Sequence, residues 1–318
     1  MNRGAKLALD IGVACLVVLG YRTVLVELVR DWIKDPNYAH GFLIPAVSAY
    51  LIFRTRDKLR LPGDTPSLLG LPGLLVAMIL LVLGTAGAEV FTQRISLLVA
   101  SASLVLFLYG RRHFKLVLFP IAFLLLAIPL PYVIYYDLTG PMQRLAARLA
   151  VRGLGIVGVP SLVQGNIIHL PQGSLEVAAA CSGIRSLYAF LAVGALGAQS
   201  MSISMWARIL VFSSTVPLSI AGNALRVWGT GVQAWLIGPQ VTKGAAHEFF
   251  GIVVFCVSLG IFFLIKKVVR SLWLRDTSSL SSSWEPPPST PVNSGRVGPP
   301  GSRFPISGKS PGNYAAGK

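Results

Sequence analysis

Seven apolar runs long enough to cross a bilayer punctuate this chain: Leu7–Val29, Ser67–Ala88, Ile95–Tyr109, Phe114–Tyr136, Ala178–Ala198, Ala207–Trp228 and His247–Ile265. Hydrocarbon leaves such a run one ordinary solution, a helix that satisfies its own backbone. The expected fold class is therefore an all-α polytopic membrane protein. Composition agrees, with 53% hydrophobic residues, 13% charged residues and a mean hydropathy of +0.67, where a soluble domain carries about a quarter charged residues.

Orientation follows from Lys and Arg. Arg3 and Lys6 precede the first run, "RTRDKLR" covers Arg54–Arg60, "RRHFK" covers Arg111–Lys115, and "KKVVR" covers Lys266–Arg270. The positive-inside rule assigns all four to the cytoplasm. A shorter run, Gly41–Phe53, contains Pro45 and counts as a span because the charges on either side need it. With about eight transmembrane helices the parity closes, both termini being cytoplasmic. The formal charge of +16 would suggest nucleic acid in a soluble protein, but here the basic residues sit mostly in short loops between apolar runs. Membrane lipid is the expected neighbour, and nucleic acid is not. The first run is too long for a signal-peptide core and lacks a small-residue cleavage site, so it reads as a span.

Two stretches then fall on the far side, Asp31–Gly41 and Asp137–Val177. In the second, Arg144, Arg148 and Arg152 recur every four residues beside an apolar stripe, which suits a helix lying at the interface or a solvated helix face. "GNIIHLPQGSLEVA" predicts a small β-like hairpin on that far side, with Gln172-Gly173 at its turn. After Arg275 the chain is Ser, Pro and Gly with almost nothing to bury, so residues 276–318 are expected to be a disordered cytoplasmic tail beside a transmembrane domain of residues 1–275.

Within this frame "EVAAACSGIRSLYAFLAV", residues 176–193, places Cys181 and Arg185 at the mouth of an apolar run. Four residues apart, they predict one turn and one face of a helix. "AGNALRVWG" sets Asn223 and Arg226 near the outer end of the next run, and "AAHEFFG" sets His247 and Glu248 at the start of the last. A cysteine, an arginine and a histidine from three helices thus end at similar depth. Each has a bland reading: Cys15 and Cys256 read as packing, a lone His at a helix mouth as interfacial, and Arg226 alone as a snorkelling anchor. Arg185 resists that treatment, because intramembrane arginines face bundle interiors and act there.

The chemistry fits a cysteine nucleophile. A free thiol with a pKa of about 8.5 is mostly protonated at neutral pH, and a nearby cation lowers that value. Arg226, Arg185 or protonated His247 could supply the cation. His247 can give a proton to a departing amine, and an arginine can hold a developing oxyanion. No cofactor is implied. No metal is expected either, because His40, His113, His169 and His247 form no ligand-spaced pair. The three cysteines form no disulfide framework and no CxxC motif.

"LPQGSLEVAAACSGIRSL" (Leu170–Leu187), "NALRV" (Asn223–Val227) and "HEFFG" (His247–Gly251) resemble, in order, the three motifs of the exosortases. "YAHGFLIP" (Tyr38–Pro45) is similar to their N-terminal element, which adds His40 as a supporting residue. The resemblance implies a multi-pass cysteine protease or transpeptidase of the bacterial inner membrane, its site facing the periplasm, with Cys181 as nucleophile, Arg226 as stabiliser and His247 as general acid/base. It further implies, as partners, exported proteins bearing a C-terminal Pro-Glu-Pro-type motif, a transmembrane helix and a basic end, and an association with exopolysaccharide production. Two rival readings stand beside it. A transporter or flippase for an anionic glycan would use its basic residues to bind substrate, although no inverted repeat or paired broken helices are visible. A non-catalytic scaffold for a polysaccharide synthase leaves the intramembrane arginines without a role.

Overall fold

The computed structural model describes residues 3–59, 65–177, 182–238 and 245–282. The chain divides into two units, Met1–Leu274 and Arg275–Lys318. Eleven α-helices are described: α1 (Arg3–Gly20), α2 (Arg22–Lys34), α3 (Leu43–Arg54), α4 (Arg56–Leu59), α5 (Gly70–Ala86), α6 (Val90–Phe123), α7 (Tyr132–Ile156), α8 (Ile184–Gln199), α9 (Met205–Ser213), α10 (Thr215–Ile237) and α11 (Ala245–Ser282). Short 3-10 helices cover Pro36–Phe42 and Leu124–Ala127. The last helix runs on to Ser282, past the point where a structureless tail was expected to begin, and residues 283–318 lie outside the described residues.

The expected spans are interrupted at identifiable residues. Helices α1 and α2 meet at a 68° bend beside Tyr21, whose hydroxyl accepts a hydrogen bond from Ser96 Oγ at 3.2 Å. Helix α6 is divided at Gly110 (φ 78°), immediately before the basic "RRHFK" stretch. The run Phe114–Tyr136 is not one helix: it passes into the 3-10 turn at Leu124 and then into extended chain before α7 starts at Tyr132. "IPLP" explains this break, since a proline forces the preceding residue into extended backbone and donates no hydrogen bond. Helix α3, at 12 residues, covers about 18 Å.

Among the described residues three helices, Val90–Ala127, Met205–Ile237 and Phe249–Trp273, are long and apolar enough to cross a membrane, and the bent α1–α2 pair would make a fourth. Length and composition therefore qualify fewer helices than the eight expected. Large side chains such as Leu71, Ile79, Val82, Phe249 and Phe263 stand exposed on the helices, the surface that hydrocarbon covers in a membrane. Cys15 and Cys256 belong to it: both are exposed, not packed inside as expected. A thiol is apolar enough to face lipid.

The sheet has three antiparallel strands in sequence order, β1 (Leu162–Gln164), β2 (Ile167–Leu170) and β3 (Gly173–Glu176). Leu170 pairs with Gly173, so Pro171-Gln172 forms the turn, one residue before the position expected. The unforeseen first strand was signalled by Gly165-Asn166, a hairpin-turn dipeptide with Gly165 at φ +65°. Ile168, Leu175 and Val177 seat the sheet on Ala146, Ala147, Ala150 and Leu154 of α7 and on Val227 of α10. Arg144, Arg148 and Arg152 lie exposed on the other face of α7.

Candidate active site

Two buried anchors bracket the segment that carries Cys181. On one side Val177, 2% exposed, donates its N–H to the Asn166 carbonyl at 2.9 Å, while Asn166 Nδ2 donates to the Val177 carbonyl at 3.2 Å. On the other side Ser182 is fully buried and Gly183 turns the chain at φ +86° to start α8. Residues 178–181, and with them Cys181, lie outside the described residues. The turn at Gly183 corrects one expectation: helical phase does not run from Arg185 back to Cys181, because the helix begins only at Ile184. Arg185 stands instead in the first turn of α8, exposed.

The motifs are locked together by glycines. A β-carbon on Gly183 would lie 2.7 Å from Asn223 Cγ, so the strand-to-helix turn presses directly on α10. A β-carbon on Gly251 would lie 2.9 Å from Arg226 Nε and 3.0 Å from Cζ, so the guanidinium rests on α11. One helical turn further along α10, Gly229 receives the ring of Phe250. These residues come from three separate stretches of sequence, and each glycine is the space that a side chain of another stretch fills.

Arg185, Asn223 and Arg226 share a cavity of about 240 Å³ with Gly251. Phe190 and Phe255, their rings 5.2 Å apart, form its apolar side, and Ser186, Ser219 and Ser258 add hydroxyls. Asn223 is buried and Arg226 half-buried. Helix α10 extends to Ile237, so Arg226 sits about 16 Å before its end instead of near it; "GTGVQAWLI" continues the helix where the apolar run was expected to stop. His247 and Glu248 occupy the first turn of α11, His247 one turn before Gly251, and their side chains lie outside the described residues.

His40 lies in the 3-10 helix Pro36–Phe42. Its 3-10 helix is capped by Asp35, which accepts from the Asn37 N–H at 2.8 Å. The His40 ring lies 5.0 Å from that of Tyr188, and its Nε2–H donates to the Leu126 carbonyl at 3.1 Å. Burial, with a smaller contribution from Arg185, holds the imidazole below its usual pKa. Burial likewise pushes the Tyr38 phenol up to about 12, keeping it neutral. Sequence reasoning missed Asn37, whose Oδ1 accepts from Arg185 Nη2 at 3.4 Å across a separation of 148 residues. Nothing in local sequence signals that contact.

A model of the transmembrane exosortase family matches residues 32–264, well over half of the chain and all of the residues just described. No curated protein and no solved structure matches. The match takes in the 3-10 helix with His40, the Gly183 turn and the interlocked α10 and α11, and on it this multi-pass membrane protein belongs to the transmembrane exosortase family.

Proposed function

We propose that the protein is a cysteine peptidase or transpeptidase that cleaves the C-terminal sorting tails of exported proteins at the periplasmic face of the inner membrane, in association with exopolysaccharide production. The observation that carries this reading is the convergence of Arg185, Asn223 and Arg226 on one cavity bounded by Gly251, with Gly183 packed against Asn223. Two guanidinium groups beside an apolar wall suit a reaction that builds negative charge on sulfur and then on a carbonyl oxygen.

In this mechanism the Cys181 thiolate attacks the scissile carbonyl, Arg226 holds the developing oxyanion, and His247 protonates the leaving amine. A thioester acyl-enzyme results, and water or an acceptor amine resolves it. The substrate's own transmembrane helix docks laterally and sets the height of its scissile bond. The test is co-expression with an exported reporter bearing a Pro-Glu-Pro-type tail. Wild type should shorten the reporter, whereas Cys181→Ala and His247→Ala should abolish the shift at unchanged protein level. Processing that survives Cys181→Ala would end the proposal.

A further inference from the structure

Arg144, Arg148 and Arg152 stand exposed on α7 at intervals of one helical turn, about 6 Å apart along the axis. Among the described residues none of the three has an acidic partner. Like charges spaced in this way repel one another, and an anion laid across them relieves the repulsion. The three are not equivalent. Arg144 lies back toward Gly140, its Nη1 3.3 Å from where a β-carbon would stand there.

Arg148 and Arg152 border a groove. Leu149 and Gly153, the residues that follow them, lie about 100° further round the helix, and both line an apolar groove of about 350 Å³ between α7 and α10. Ile156 of α7 and Ala224, Leu225 and Trp228 of α10 line it too, and no charged side chain does. Its rim is open, with Ile156 87% exposed and Leu225 44% exposed. A β-carbon on Gly153 would come within 2.6 Å of Trp228 Cδ1, so the indole sits directly on the α7 backbone. The indole N–H is buried there without an acceptor among the described residues. The surface therefore has two parts: a channel suited to hydrocarbon, and beside it two guanidinium groups whose paired N–H donors suit phosphate oxygens. A soluble anion would leave the groove empty, and a lipid without net charge would leave the arginines uncompensated.

We propose that the α7–α10 groove, with Arg148 and Arg152, is a binding site for an anionic diacyl phospholipid, one acyl chain lying in the groove and the phosphate on the two arginines. Ala224, Leu225 and Trp228 bracket Arg226 along α10, so the bound lipid braces the stretch of helix that carries it. The site stands whether or not the chain is a peptidase.

The experiment is native mass spectrometry of the full chain in a neutral detergent, with phosphatidylglycerol set against phosphatidylcholine of the same acyl chains. One phosphatidylglycerol should be retained per chain, with a preference of at least about tenfold, since each arginine near a membrane surface contributes about fivefold. Arg148→Gln with Arg152→Gln should remove the preference, whereas Arg144→Gln should change it by less than about twofold. Leu225→Trp fills the groove from an exposed position and should lower retention about fivefold or more with every charge intact. Lys267→Gln with Arg270→Gln removes two exposed charges from α11 and should change nothing. Equal retention of the two lipids, or an equal loss in the α11 variant, overturns the proposal. So does competition by glycerophosphoglycerol as effective as that of the whole lipid, which would reduce the site to a surface anion patch. A dimer that Leu225→Trp dissolves would give the groove to a second copy of the chain. Reporter processing that Leu225→Trp abolishes at unchanged lipid retention would give it to the substrate's own helix. Either result refutes the lipid site.

Discussion

The guanidinium of Arg226 lies directly on the α-carbon of Gly251, so that a β-carbon there would come within 2.9 Å of Nε. Gly251→Ala therefore has two opposed effects. Alanine favours the α11 backbone by about 1 kcal/mol over glycine, while its methyl displaces Arg226 by a few tenths of an ångström or more. We expect thermal stability to hold or rise, with reporter processing falling about tenfold or further. A variant that melts normally and processes normally would separate Arg226 from the chemistry.

Gly183 meets two constraints at once, a backbone at φ +86° and a contact with Asn223. Gly183→Ala should cost about 1–2 kcal/mol for the left-handed conformation, plus the clash with Asn223. Removing the partner isolates the second part. Gly183→Ala with Asn223→Ala should melt higher than the sum of the two single changes implies, with processing still lost in both. Strict additivity in the melting temperatures would show that the turn and α10 do not press on one another.

Arg226→Lys keeps the charge and loses the planar fork. It should leave folding intact and reduce processing by about two orders of magnitude, the scale seen when one oxyanion donor is removed. Turnover within a factor of about two of wild type in the reporter assay would demote Arg226 to an anchor.

Much of this arrangement was legible in sequence, and the reason is energetic. An arginine in an apolar run is costly, which singles out Arg185 and Arg226, and the structure brings the two to one cavity. Where the reading failed, the determinant was conformational or remote. Periodicity cannot reveal one left-handed residue, and Gly183 at φ +86° starts the helix of Arg185 only at Ile184. Hydropathy alone joined Phe114 to Tyr136 across Pro129 and Pro131, although those two residues spelled out the break. The contact between Asn37 and Arg185 depends on how α8 packs against the 3-10 helix at Pro36–Phe42, which no window of sequence contains.

His40 gives this packing a pH signature. Burial depresses its pKa below 6.5, so the folded state binds fewer protons than the unfolded chain in acid. Stability from this residue is fully present above about pH 6.5 and is lost as pH falls through the depressed value. Melting temperatures of wild type and His40→Asn should therefore converge on acidification from a wild-type advantage near neutrality. Parallel curves from pH 7.5 to pH 5 would mean that the imidazole titrates alike in both states.

The ion pair between Asp31 and Arg94 ties α2 to α6 and forms one wall of a cavity of about 640 Å³. Its two ends differ in exposure, 44% for Asp31 and 4% for Arg94. Desolvation of the arginine is thus already incurred, and the carboxylate is what compensates it. Asp31→Asn should cost about 1–3 kcal/mol, less than the loss of a fully buried partner because water still reaches this side chain. Arg94→Met should cost less than Asp31→Asn, since it strands no buried charge. Chemical denaturation in detergent would rank the two, and a larger loss for Arg94→Met would show that α6 needs the guanidinium for shape and not for charge.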